Sequence, residues 1–276
     1  MIVERAPAKI NLALHVRHRR PDGYHELETL FAFTAHGDTV TVTPAVADSF
    51  HVIGPFAAAL QAPASGARNL VETAAHAFCD TFDVRQAHAI TLDKHLPIAS
   101  GIGGGSADAA ATLRALARLH AIAPADPRLF VIAERLGADV PACLLGRTTL
   151  GTGKGEALIP VQGLAGTPLL LVNPGVAVST GAVFARWDGK DRGGIAGEGD
   201  LLARAIAGRN DLQPAALALA PVIADVLAAL EGADGVRLAR MSGSGATCFA
   251  LFDDAGARDS AAAAMPQWWT LATTLT

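Results

Sequence analysis

The chain has 276 residues, 51% of them hydrophobic and 17% charged, with a formal net charge of −4. A chain of that size and composition buries a sizeable core as one large domain or two modest ones, which excludes intrinsic disorder and a small stapled scaffold. The slight acidity lacks the basic surplus of a nucleic-acid binder, and three scattered cysteines, Cys79, Cys143 and Cys248, give neither a disulfide framework nor a C-x-x-C metal pair.

The opening residues, Met1-Ile2-Val3-Glu4-Arg5, place an acid where a secretory leader requires a base, so a cytoplasmic chain with reduced thiols is expected. Thr39-Val40-Thr41-Val42-Thr43 alternates with the period of a half-buried strand, and Pro21-Asp22-Gly23 is a turn. Residues 69–82 read as a helix capped by Asn69, and Ala89-Ile90-Thr91-Leu92 as a strand ending near Lys94. Ser100-Gly101-Ile102-Gly103-Gly104-Gly105-Ser106 is a glycine-rich turn, followed by a helix from Ala107 to about Ala121. There Ser106 is read as the cap and Asp108 as a first-turn acid. The next helix is punctuated by Asp126 as cap, Pro127 inside its start and Gly137 past its end. In the second half, Pro168-Leu169-Leu170-Leu171-Val172 reads as a buried strand and residues 187–200 as a polar, glycine-rich loop. Helices are predicted at about 199–207 and 213–231, then a strand at Cys248–Phe252. Ala215 to Leu230 is the most apolar stretch, but Pro221 and Asp225 interrupt it and it falls short of the ~20 residues that span a bilayer, so it is read as one or two buried helices. The order of elements predicts an α+β fold in two lobes, residues 1–155 and 156–276.

Several residues are chemically conspicuous. Glycines between a strand and a helix make an anion site, because unpaired amides and the helix dipole face the ligand; a plain turn is the alternative. The dinucleotide pattern G-x-G-x-x-G fails because position 106 is Ser, and no Gly-Lys is followed by Ser or Thr as a Walker loop requires. Asp139, in an otherwise apolar run, is exposed, caps the following turn, or belongs to a site. Lys9, inside an apolar strand, is either a solvated edge residue or a fixed cation beside a phosphate or carboxylate. Gly151-Thr152-Gly153-Lys154-Gly155 and Ser242-Gly243-Ser244-Gly245 add two further close-approach loops. Nine histidines, all within the first 120 residues, show no metal-ligand spacing, so no metal ligand set is assigned to the chain.

Taken together, Pro7-Ala8-Lys9-Ile10-Asn11-Leu12, Asp22-Gly23-Tyr24-His25, Leu96 through Ala110, Gly137-Ala138-Asp139-Val140-Pro141 and Ser242-Gly243-Ser244-Gly245-Ala246 resemble the GHMP kinase superfamily. The resemblance covers residues 5 to about 253. It implies an N-terminal ATP-binding lobe like the second domain of ribosomal protein S5, and a C-terminal, substrate-side, ferredoxin-like lobe. It implies ATP with Mg²⁺, and γ-phosphoryl transfer to the 2-hydroxyl of a methylerythritol linked to cytidine diphosphate, in isoprenoid precursor synthesis. Kinases of the mevalonate or homoserine type, or a non-catalytic nucleotide-binding module, are the rival readings.

By position, Asp139 matches the family's catalytic base and Lys9 the lysine beside it. Pro97, Ile98, Ala99, Ser100, Gly101, Ile102, Gly103, Gly104, Gly105, Ser106 and Ala107 match the ATP-phosphate segment, with Asn69 and Lys94 near the nucleoside. Tyr24, His25 and Phe184 match the residues that grip cytosine, with Asn11 and Thr180 on the substrate side. Ser100 stands where glycine or alanine is usual, and Ala107 replaces the second of two serines. Expected partners are this small molecule alone, without nucleic acid or membrane, the chain being a monomer or weak homodimer.

Overall fold

A computed structural model describes residues 1–60, 68–197 and 199–276, so Glu198 of the 187–200 loop lies outside the described residues. In chain order the elements are β1 (Ile2–Arg19), β2 (His25–Ala45), β3 (Ser49–Ile53), α1 (Ala57–Leu60), α2 (Leu70–Phe82), β4 (Ala87–Asp93), α3 (Gly104–Leu119), α4 (Pro127–Leu136), α5 (Val140–Leu145), β5 (Thr149–Gly153), β6 (Ala157–Pro160), β7 (Pro168–Asn173), α6 (Thr180–Ala185), α7 (Leu201–Ala207), α8 (Gln213–Leu219), α9 (Val222–Glu231), β8 (Val236–Met241), β9 (Cys248–Phe252), α10 (Ala255–Ala263) and β10 (Trp269–Thr274). They form two compact units. The first comprises Met1–Ala8, His36–Ile98 and Gly103–Gly146; the second comprises Lys9–Ala35, Ala99–Ile102 and Arg147–Thr276. Where the sequence suggested one division near residue 155, each unit gathers three segments, because β1 and β2 are long enough to contribute to both.

In the first unit, β4 pairs antiparallel with Thr39–Ala45 of β2 and parallel with β3. Helix α3 packs against α2 and α5. Its buried face is rich in alanine: Ala107, Ala109, Ala110, Ala111, Ala115 and Ala117 are at most 2% exposed, beside Leu113 and Leu116. Small side chains let neighbouring helices approach closely, and alanine suits the helix interior. Helix α2 starts on a capping box, with Asn69 Oδ1 accepting from the Val71 amide at 2.9 Å and Glu72 accepting from the Asn69 amide at 3.3 Å. Helix α4 has the predicted Asp126 cap, its Pro in the first turn and Gly137 at its end.

In the second unit, β5 pairs with Leu27–Phe31 of β2 and with β6. The segment from β7 to β10 forms an antiparallel sheet in the order β10-β7-β9-β8, a ferredoxin-like arrangement. Leu170, Val172, Ile223, Val226, Leu230 and Phe252 make the centre of its core. Fully burying each such side chain contributes about 1.5–3 kcal/mol relative to exposure. The apolar stretch 213–231 resolves into α8 and α9, which break at Ala220-Pro221 because proline offers no amide to continue the first helix.

Candidate active site

The glycine-rich turn differs from its sequence reading in one respect. Helix α3 begins at Gly104 rather than Ala107, and its cap is Gly103 (φ +65°), which makes no side-chain cap bond. Ser106 is therefore not the cap; it lies in the first turn. Backbone φ is positive at Ala99, Gly101 and Gly103, and at neither residue between them. Such alternation turns successive amides to one side, as in anion-binding nests. The first-turn amides of α3 are left without an intrahelical acceptor or a side-chain cap. These features fit an ATP phosphate group. Gly101 is needed on a second ground: a Cβ there would lie 2.6 Å from the carbonyl oxygens of both Ser242 and Gly245. The Ser242 hydroxyl donates to the Gly101 carbonyl at 3.0 Å and the Thr247 amide to the Ser100 carbonyl at 3.0 Å, so the Ser242–Thr247 segment holds residues 100–101.

Below the start of α3 lies a buried ion cluster. Lys94 Nζ donates to Asp38 Oδ2 and to Asp108 Oδ2, each at 2.6 Å, and all three side chains are at most 3% exposed. Asp108 is thus an ion-pair partner inside the molecule, not a first-turn acid facing the dipole, because the helix starts earlier than its composition suggested. Burial drives its carboxyl above the ordinary carboxylate range; Lys94 opposes this and Asp38 adds to it. The Lys94 ammonium stays above its usual range because the two carboxylates outweigh the desolvation that pulls it down. Asn69 and Lys94, both placed near the nucleoside by resemblance, thus cap α2 and join this cluster.

Lys9 is 3% exposed, which overturns the solvated-edge reading. Its Nζ donates to Asn11 Oδ1 at 3.0 Å and stands 5.2 Å from the Phe31 ring centroid, while its amide donates to the Ile102 carbonyl at 2.9 Å. Asn11 is fixed in turn: its side-chain nitrogen donates to Thr29 Oγ1 at 2.7 Å and its amide to Ser242 Oγ at 3.3 Å. Asp139 occupies the cap position of α5 but makes no side-chain cap bond, so capping does not account for it. It belongs to the first unit, and Lys9 to the second.

In the second unit the His25 and Phe184 rings stack at 4.9 Å with 29° between planes. Trp187, which none of the family motifs includes, stands perpendicular to His25 with ring centroids 5.6 Å apart. The signal was available: Trp187 follows Phe184 by one helical turn, and its amide donates to the Phe184 carbonyl. Desolvation, with the charge of Arg19, lowers the His25 pKa, so its ring is neutral at physiological pH. Tyr24 is 55% exposed, with Lys154 Nζ 4.8 Å above its ring. Thr180 Oγ1 and Ser244 Oγ are 3.0 Å apart, tying the start of α6 to the Ser242–Gly245 loop. Among the described residues no three His, Cys, Asp or Glu side chains are grouped to hold a metal ion, and no helix is long and apolar enough to cross a membrane.

The GHMP kinases N terminal domain matches residues 69–147, and the GHMP kinases C terminal domain residues 195–271. The chain is 54% identical to the 4-diphosphocytidyl-2-C-methyl-D-erythritol kinase of Rhizorhabdus wittichii, over 99% of this chain and 94% of that protein. It is 54% identical to the same-named kinase of Novosphingobium aromaticivorans, over 97% and 90%. A crystal structure of 4-(cytidine 5'-diphospho)-2C-methyl-D-erythritol kinase superposes with a TM-score of 0.82 at 37% identity, covering 99% of this chain and 98% of the other. Homoserine kinase from Cytophaga hutchinsonii shares the fold, with a TM-score of 0.69 at 18% identity over 100% and 94%.

Proposed function

The chain belongs to the GHMP kinase family, and from that premise we propose that it is a small-molecule kinase moving the γ-phosphoryl group of ATP to the 2-hydroxyl of 4-diphosphocytidyl-2-C-methyl-D-erythritol. The observation that carries this choice of substrate is the ring cluster of His25, Phe184 and Trp187, since an alcohol without a base has no use for stacked rings. Relatives named for that substrate at 54% identity support it over a mevalonate- or homoserine-type kinase.

In this reading the segment from Pro97 to Ala107 binds the ATP phosphates through its amides and the positive end of α3. Asp139 accepts the proton of the attacking hydroxyl, and the Lys9 ammonium keeps that carboxylate ionised and stabilises negative charge developing on the oxygen. Asn11, held by Thr29 and Ser242, orients Lys9. The rest is positioning, which phosphoryl transfer rewards more than covalent chemistry. Mg²⁺ supplies charge neutralisation on the phosphate oxygens when bound, and such a metal is held by substrate phosphates with one or two carboxylates rather than by a protein cage. His25 reads the cytosine edge, with Phe184 and Tyr24 as stacking surfaces and Thr180 at the substrate end. Asn69, the cap of α2, and Lys94 lie on the nucleoside side of ATP. The enzyme works in the cytoplasm, as a monomer or weak homodimer.

The test is an ADP-release assay with MgATP and each of three alcohols. ADP formed with the cytidine substrate, and not with mevalonate or homoserine, is the expected result. Turnover of either of the others at a comparable rate would reassign the substrate.

A further inference from the structure

The ion cluster under α3 does something the proposed chemistry does not require. Asp38 accepts from Lys94 with one oxygen, while its other oxygen accepts from the amides of His95 at 2.6 Å and Leu96 at 2.8 Å. Lys94 then reaches Asp108, in the second turn of α3. The residues that enter the phosphate segment and the helix that leaves it are therefore both tied to one buried ammonium. Gly104 completes the fit, since a Cβ there would lie 3.1 Å from Lys94 Nζ.

A cation beneath a helix N-terminus opposes the dipole, and burying an ammonium with two carboxyl groups costs more than burying three apolar side chains of the same volume. Stability alone would favour an apolar filling. We propose that Asp38 and Asp108 are positioning residues for phosphoryl transfer: acting through Lys94, they clamp the two ends of the Pro97–Ala107 segment so that its amides meet the nucleotide phosphates in a fixed geometry. None of the three touches the reacting atoms. The proposal rests on the reading of that segment as the ATP-phosphate site.

The experiment titrates the full-length chain calorimetrically with the magnesium complex of a non-hydrolysable ATP analogue, and separately with the cytidine substrate, alongside thermal melts. Asp108→Asn keeps the shape and a hydrogen-bond acceptor for Lys94 but removes the ionisable carboxyl. It is expected to weaken the nucleotide by about tenfold and leave the cytidine substrate within about twofold. The triple variant Asp38→Asn, Lys94→Met and Asp108→Leu removes every ionisable group of the cluster while the amide oxygen at 38 can still accept from His95 and Leu96; it is expected to melt near the wild-type temperature and still bind nucleotide at least about tenfold more weakly. If the triple variant binds nucleotide as the wild type does, the clamp is purely structural and the proposal is overturned. It is overturned equally if a folded Asp108→Asn loses affinity for both ligands alike. If the wild type binds no nucleotide at all, the kinase reading fails first, and the two failures are told apart.

Discussion

In the proposed function, nucleotide recognition around Lys94 rests on backbone amides and a buried ion cluster, and cytosine recognition around His25 rests on rings. The first region stands on glycines with positive φ and on an ammonium 2.6 Å from each of two carboxylates. The second stands on a histidine stacked 4.9 Å from Phe184 and braced at 5.6 Å by Trp187. A polyanion is strongly hydrated and needs fixed dipoles; a flat base needs apolar faces and one or two directional bonds. Variants in the two regions are therefore expected to separate cleanly, with the first set moving nucleotide affinity and the second moving affinity for the cytidine substrate.

The largest effect belongs to neither region. Asp139→Asn is expected to lower kcat by about 10²–10⁴-fold with both ligands still bound within a few-fold, because it removes the proton acceptor and little else. Steady-state kinetics with independent variation of both substrates checks it; near-normal kcat would remove Asp139 as base. Gly101→Ala comes next. A Cβ at φ +77° and 2.6 Å from two carbonyl oxygens forces the segment to shift. The strain costs about 1–3 kcal/mol, and a rise in KM for ATP of about tenfold or more is expected, with KM for the cytidine substrate little changed. His25→Ala reverses that pattern, raising KM for the cytidine substrate about tenfold to hundredfold and KM for ATP hardly at all, in line with ~1–3 kcal/mol per gripped base. Equal effects on both ligands would dissolve the distinction between the regions. Trp187→Leu acts in the same direction by about two- to fivefold, since an edge-on ring contact contributes about 0.5–1.5 kcal/mol to holding His25.

The same contrast explains what could be read in the sequence. Caps and glycines are local, so Asn69, Asp126, Pro127 and Gly137 announce the helices they bound, and the strand–glycine–helix unit at 100–106 announces the alternating backbone there. The start of α3 was misread because three glycines look like turn when only their neighbours in sequence are considered. What makes them helical is tertiary: Gly104 must lie against Lys94, whose partners are 14 and 56 residues away. The pairing of Asp108 and Asp38 with Lys94 is illegible in the sequence for the same reason, and Asp108 alone reads as a first-turn acid. Strand alternation leaves Lys9 open between an edge residue and a fixed cation, because its burial is set by Phe31, Asn11 and the chain around Ile102, none of which alternation reveals. The family motifs carried Asp139, His25 and Phe184, whereas Trp187 needed the α6 turn that places it beside His25. Strand β10 and helix α10 carry weak patterns and were not foreseen; β10 is fixed by its pairing with β7, from Trp269 opposite Asn173 to Thr274 opposite Pro168.

A second ring cluster, in the first unit, asks whether a neutral histidine such as His25 is a mark of function or simply of burial. His88 and His120 face each other through their Nε2 atoms at 2.9 Å, beside Phe78. One ring donates and the other accepts, so the contact requires at least one neutral imidazole. Burial lowers both pKa values, and for His88 the neighbouring His120 lowers it further. Unfolded histidines titrate near 6.5, so on acidification the unfolded chain takes up protons that the folded pair resists. Stability from this pair is therefore full above about pH 6.5 and declines as the pH falls toward the lowered folded values. Urea unfolding at pH 7.5 and pH 5.5 is expected to show that loss in the wild type, and His120→Gln is expected to reduce it. Nucleotide and cytidine-substrate affinities of the same variant at pH 7.5 are expected to be unchanged. A loss of cytidine-substrate affinity in His120→Gln would mean that the ring clusters of the two units are coupled, and the separation of roles drawn between Lys94 and His25 would then not hold.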